Sequence, residues 1–291
     1  FDRQIKALSE ATTENPLLEI WNRIYHVFLT LREWYTNHDF YHKIGYLITI
    51  DIPLRKIYNV WQNDGNTPLA KDKFLSKLDN MISESISIKD KEELLSLSYD
   101  TKNVKLKNVL TLFNVETERL MDEGKRRFPF DKHKDSKWSL EHIHAQNAES
   151  LKKNKDILAW FNEIQKEVII IFSPKEDVIK ENGYSHELAN MALLDVSQNA
   201  ALSNSVFEVK RHRVINYDKE GRYIPICTKN VFFKYYTQNS PSLFFWGEAD
   251  RRDYVEALNV KISPYYKQDN NDDTTIPNLT NGNYDTEESA F

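Results

Sequence analysis

The sequence predicts a mainly α-helical protein, and three observations carry that expectation. Apolar residues recur at three- and four-residue intervals through most of the first 113 positions. Seven glycines and nine prolines in 291 residues are too few for a loop-rich β protein. Fifteen Phe, fifteen Tyr and six Trp, within a chain that is 40% apolar, can fill a sizeable core. At this length two compact units are expected. We read a helical bundle over 1–124, a second unit over 125–266 and a disordered, acidic tail over 267–291.

The bundle is justified helix by helix. Pro16 opens a helix to Asn37, with Leu17, Ile20, Trp21, Ile24, Phe28, Leu31 and Tyr35 at helical spacing. A more buried helix is expected over Asp39–Ile50, and a third follows Asp51-Ile52-Pro53, carries Leu54, Ile57, Tyr58 and Trp61, and stops at Asp64-Gly65-Asn66. Further helical patterns run over Ala70–Ser85, Asp90–Ser98 and Lys105–Phe113. His26, His38 and His42 lie on or beside these helices and read as ordinary core or surface histidines.

From Lys125 the texture changes. Lys125-Arg126-Arg127-Phe128-Pro129-Phe130 is basic and aromatic, and Trp138-Ser139-Leu140 is a short strand candidate. Glu149–Phe172 reads as a long amphipathic helix ended by Ser173-Pro174. A short apolar run follows at Leu188–Leu194, then a helix over Ser203–Arg213, a turn at Asp218–Gly221, and aromatic or helical stretches at Lys229–Tyr236 and Asp250–Asn259.

Charge is unevenly distributed. The formal net charge is −5, yet 268–291 hold six acids and no Lys or Arg, so the rest of the chain carries +1. Residues 205–234 carry seven Lys or Arg against three acids. The overall charge is therefore uninformative, and the local basic segment suggests a polyanionic partner. The single cysteine, Cys227, rules out an intramolecular disulfide, and a reducing cytoplasm is the default. No stretch approaches the roughly 20 apolar residues that span a bilayer. The start, Phe1-Asp2-Arg3-Gln4, lacks Met and any leader, so a fragment or processed form of a longer protein is expected.

The chemistry concentrates at Glu141-His142-Ile143-His144-Ala145-Gln146, followed by Asn190 and, nine residues later, Asn199. Hydrolysis of a phosphodiester needs a deprotonated water and positive charge at the phosphate. Histidine suits the first task, since its pKa lies near working pH. Oxygen ligands that hold Mg²⁺ or Mn²⁺ suit the second. In this reading His142 is the general base, Glu141 and Asn199 hold the metal, and Asn190 fixes the loop. Lys210, Arg211 and Arg213, eleven to fourteen residues after Asn199, could contact phosphates. A regular strand would send Glu141 and His142 to opposite faces, so the strand must end or distort at the motif. His142 and His144 could instead pair on zinc, although no cysteine flanks them.

Several segments together resemble one family. They are Phe128-Pro129-Phe130, Trp138 to Asn147, Leu188 to Leu194, Asn199, Leu202-Ser203-Asn204 and Phe207-Glu208-Val209-Lys210-Arg211. The family is the C-terminal HNH-like nuclease domain of GmrSD-type, modification-dependent restriction endonucleases. Tyr41 to Ile48 resembles the helical region of those proteins, which extends the likeness from about residue 17 to about 260. The family motif reads acid-His-Ile-x-Pro-Gln, and Ala145 stands where Pro is common.

The resemblance implies a ββα-metal (His-Me finger, HNH) nuclease core with helical insertions behind the bundle. It implies His142 as base, Glu141 and Asn199 as metal ligands, and Asn190 as the central asparagine. His144 would contact phosphate or orient the site. It also implies a cytoplasmic, anti-phage endonuclease acting on double-stranded DNA, possibly modified, with an upstream ParB/sulfiredoxin-like domain that hydrolyses nucleotide and senses the modification. Nothing in this chain resembles that domain. The alternative is a catalytically silent DNA-binding or interaction module of the same defence protein.

Overall fold

A computed structural model describes residues 15–63, 67–135, 137–144, 187–202, 207–238 and 243–267. The expected helix over Glu149–Phe172, the stop at Asp64-Gly65-Asn66 and nearly all of the acidic tail lie outside the described residues.

The first helices form where the sequence places their caps. In α1 (Pro16–Thr36) the Asn15 side chain accepts from Leu18 N at 3.2 Å, and Pro16 occupies the first turn. Asn37 does the same for α2 (His38–Thr49), accepting from Phe40 N at 3.0 Å. After α3 (Leu54–Trp61) comes α4 (Lys71–Ile86), which buries Phe74, Leu78, Ile82 and Ile86, one per turn. Asp90 caps the short α5 (Lys91–Leu95) through Glu93 N.

The helix expected over Lys105–Phe113 is longer in the structure: α6 spans Tyr99–Arg119. It is also the centre of the molecule. Leu106, Val109, Leu110, Leu112, Phe113 and Val115 are all buried, and so are Thr111, Asn114 and Glu116, so its middle is enclosed nearly all round. It packs against α2 and α4 on one side, and on the other against α10 (Ile226–Phe232), α11 (Glu248–Ile262) and both strands of the sheet. One apolar cluster consequently runs from Trp34 to Tyr265, across position 124.

The sheet has two strands, β1 (Trp138–His142) and β2 (Met191–Asp195), paired antiparallel with His142 opposite Met191. α7 (Phe130–Lys134) precedes β1, and α8 (Val196–Leu202) follows β2 directly and packs on both strands. The order strand, strand, helix is therefore present among the described residues. α9 (Phe207–Lys219) then leads to α10 and α11. No helix of the described residues is long and apolar enough to cross a membrane.

The histidines expected to be structural separate clearly. His42 is buried; Phe128 N donates to its Nε2 at 3.1 Å, so its Nδ1 carries the hydrogen and donates to His38 O at 2.7 Å. Burial lowers its pKa to about 4, consistent with a neutral ring. Cys227 is buried beside α6, and burial pushes its thiol up to about 12, which leaves it unreactive.

Gly45 marks the tightest approach in the bundle. A Cβ there would lie 2.2 Å from the Phe130 ring. An alanine in mid-helix ordinarily gains roughly 1 kcal/mol over glycine. Here the displaced ring should reverse the sign, and Gly45→Ala is expected to destabilise the protein by about 1–3 kcal/mol in urea unfolding. A stabilised variant would show that Phe130 has room to yield.

Candidate functional site

The end of β1, the turn before β2 and α8 build the site. The strand is regular through His142, so Glu141 and His142 leave opposite faces of it, and the break expected at the motif comes only after His142. Beyond it, Asn190 holds the backbone in three bonds. Its carbonyl accepts from Ile143 N at 2.8 Å, its Oδ1 accepts from His144 N at 2.8 Å, and its Nδ2 donates to His144 O at 3.0 Å. The side-chain amide thus pairs with the main chain of His144 as a neighbouring strand would. Asn190 is itself buried, beneath a segment fixed by Trp246 Nε1 on Ala189 O at 2.9 Å and Tyr254 OH on Met191 O at 2.9 Å.

Asn199, on α8, turns its amide to β1. Nδ2 donates to Ser139 Oγ at 2.8 Å and to Leu140 O at 3.2 Å. Asp195 accepts from Ser197 N at 2.9 Å and so starts that helix where β2 ends. The structure therefore brings Glu141, His142, His144 and Asn190 to one end of a two-stranded sheet, while Asn199 bonds to the middle of β1. The half-buried ring of His142 faces Tyr99, the first residue of α6, with centroids 5.3 Å apart.

Glu141 is paired inside the protein. Its Oε1 meets the Lys210 ammonium, and the same ammonium donates to His142 O at 2.6 Å. Lys210 is 1% exposed and Glu141 4%. Burial raises the Glu141 pKa, with the charge of Lys210 and its hydrogen bond opposing. Burial also lowers the pKa of His144, assisted by the charges of Lys210 and Arg251, although the residue keeps exposed surface. Crowding by those neighbours, not full enclosure, explains the two observations together.

Of the basic residues expected to meet phosphate, Lys210 lies inward between Phe207 and Val214 on the buried stripe of α9. A phosphate contact from it would require breaking the Glu141 pair. Arg211 and Arg213 are half-buried on the same helix, and the Arg211 Nε is buried without a hydrogen-bond partner. Sequence reasoning missed the role of Lys210, yet a signal was present: a lysine at the middle position of Phe207-x-x-Lys210-x-x-x-Val214 stands on an apolar face. Tyr99 carried no such signal, because forty-three residues separate it from His142.

The donors suit a hard cation. Glu141 Oε2 and Asn199 Oδ1 make no hydrogen bond among the described residues, while the other polar atom of each side chain is engaged. Two oxygens of this kind, completed by water and substrate, are what Mg²⁺ ordinarily takes. Among the described residues no group of three or more His, Cys, Asp or Glu could hold a metal, which disfavours zinc on His142 and His144.

A small antiparallel sheet thus carries a histidine at the end of one strand and is backed by a helix. The family model of the GmrSD restriction endonucleases, C-terminal domain, matches residues 84–230, and the chain belongs to that family. The match begins near the end of α4, so α1 to α3 lie outside it. No curated protein and no solved structure matches the chain. Membership identifies the chain with the nuclease part of a restriction endonuclease, and DNA with its substrate.

Proposed function

We propose that β1, β2 and α8 form the ββα core of a His-Me finger (HNH) endonuclease, with His142 as general base. The observation that carries this reading is the Asn190 clamp on His144, which holds the chain just past His142 in a fixed turn. Preorganisation of this kind keeps an imidazole within reach of one water. His142 takes the proton of the attacking water. Its carbonyl is held by Lys210, and Tyr99 limits the ring on one side.

Glu141 Oε2 and Asn199 Oδ1 would hold Mg²⁺ or Mn²⁺, whose charge stabilises the phosphate as it becomes pentavalent. His144, Arg211 and Arg213 would meet flanking phosphates of double-stranded DNA. The biological setting we propose is cytoplasmic defence against phage DNA, governed by an upstream ParB/sulfiredoxin-like sensor.

Supercoiled plasmid is expected to be nicked in Mg²⁺ or Mn²⁺ and to stay intact in chelator, and Asn199→Ala should slow nicking sharply. The chain and a longer protein carrying the upstream domain are assayed side by side. Salt-sensitive DNA binding that persists in chelator, with no turnover from either protein, would instead establish a silent binding module.

A further inference from the structure

A cavity lies away from His142, between α1, α2, α6, α7 and the first residue of β1. It encloses about 980 Å³, at the upper end of the range for small-molecule sites. Its walls are aromatic and aliphatic, with Trp34, Tyr41, Phe130 and Trp138 among them. Such surfaces accept a flat ring by stacking.

Neutral polar side chains such as Thr49, Asn108 and Thr111 also line the cavity, and its charged groups are mostly basic. Lys107, Lys134 and Lys137 line it, against one carboxylate, Asp51. None of the three lysines forms an ion pair among the described residues, although the protein pairs many of its other lysines. The wall also carries His133, which is 4% exposed and stacks on Trp138 with centroids 4.5 Å apart and planes 12° from parallel. His133 O accepts from Trp138 Nε1 at 2.6 Å, yet its own Nδ1 has no partner. Burial lowers the pKa of this imidazole to about 4, so at neutral pH it is an uncharged hydrogen-bonding group.

We propose that this cavity is a nucleotide-binding site, taking a base among its aromatic walls, a hydrogen bond from His133 and a phosphate on Lys107, Lys134 and Lys137. The occupant is either a free nucleotide or a nucleotide extruded from DNA, since both present a ring and an adjacent phosphate. Position favours a link to the nuclease site. Trp138 and His142 are four residues apart on one strand, so their side chains leave the same face about 13 Å apart. An extruded nucleotide would then lie a few positions from the phosphate at His142.

The test is titration of the whole chain with dAMP, followed by tryptophan fluorescence, beside single- and double-stranded oligonucleotides carrying 2-aminopurine. Saturable dAMP binding is expected, with affinity about tenfold weaker in the double variant Lys134→Ala/Lys137→Ala. Ile48→Trp, a change at an exposed position on the rim, should block the cavity. A rise in 2-aminopurine fluorescence in duplex, absent in Ile48→Trp, would assign the site to extruded DNA; binding of dAMP without that rise would assign it to free nucleotide. Either supports the site. Absence of both signals overturns it, and so does competition by inorganic phosphate as strong as by dAMP, or binding that Ile48→Trp leaves intact. His142→Ala should leave nucleotide binding unchanged, so failure of the nuclease reading and failure of this one are separable.

Discussion

His142→Ala is expected to lower plasmid nicking by about 10² to 10⁴-fold, the contribution of a positioned general base. The backbone around it is held by others: Lys210 donates to the His142 carbonyl, and Asn190 engages Ile143 and His144. Truncating a half-buried ring at a strand end should therefore leave the thermal midpoint close to wild type. The pairing of lost activity with retained stability is the informative result. Wild-type nicking by the variant under matched conditions would remove His142 from the reaction. Asn190→Ala makes a useful contrast, because it should lose activity and stability together by freeing the turn.

Lys210→Ala should produce the largest loss of stability among the site residues. Both partners of the Lys210–Glu141 pair are almost fully enclosed. Removing the lysine strands a carboxylate whose pKa burial already raises. Breaking a buried pair from one side costs about 3–5 kcal/mol. The His142 carbonyl would lose its donor as well. A double variant, Lys210→Met with Glu141→Leu, should recover most of that stability, because the pair as a whole contributes little over apolar neighbours. It should not recover nicking. Urea unfolding of the four species gives the coupling directly. A single Lys210→Ala variant within about 0.5 kcal/mol of wild type, the scale of an ordinary surface change, would show that the pair is solvated.

The lysine also bears on the cation we propose. It places a fixed positive charge on one oxygen of Glu141 and leaves the other available. This arrangement orients the carboxylate, at the cost of some repulsion toward a cation held nearby.

Much of the fold was legible locally. α1, α2, α3 and α4 lie within a residue or two of the boundaries read from Pro16, Asn37, Pro53 and the apolar spacing, because caps and periodicity act within one turn. The strand at Trp138 and the apolar run before Leu194 were also visible, since alternation and β-branched or aliphatic runs report burial. The Glu141-His142, Asn190 and Asn199 spacing pointed to one site; in the structure Asn190 bonds to His144 just past the pair, and Asn199 bonds to Ser139 and Leu140 in mid-strand.

Other features could not be read that way. α6 extends six residues further at each end than its strongest apolar stretch, because it is buried on several sides and so loses the two-faced pattern that marks a helix limit. The basic run at Lys210 reads as a set of phosphate contacts, yet its first member turns inward to Glu141, sixty-nine residues earlier. Tyr99 reaches His142 only because Leu97 O accepts from Leu188 N at 3.1 Å and brings the start of α6 to the sheet.

By itself, then, the sequence determined the helical class, the caps that start the first two helices and the chemical character of the residues we propose cleave a phosphodiester. Those properties depend on neighbours a few positions away or on side-chain chemistry alone. The tertiary structure decided which charge answers Glu141, what steadies His142 and where an aromatic, lysine-rimmed cavity opens. Each of these joins segments separated by tens of residues, and it is the burial of one shared core around α6 that brings them together.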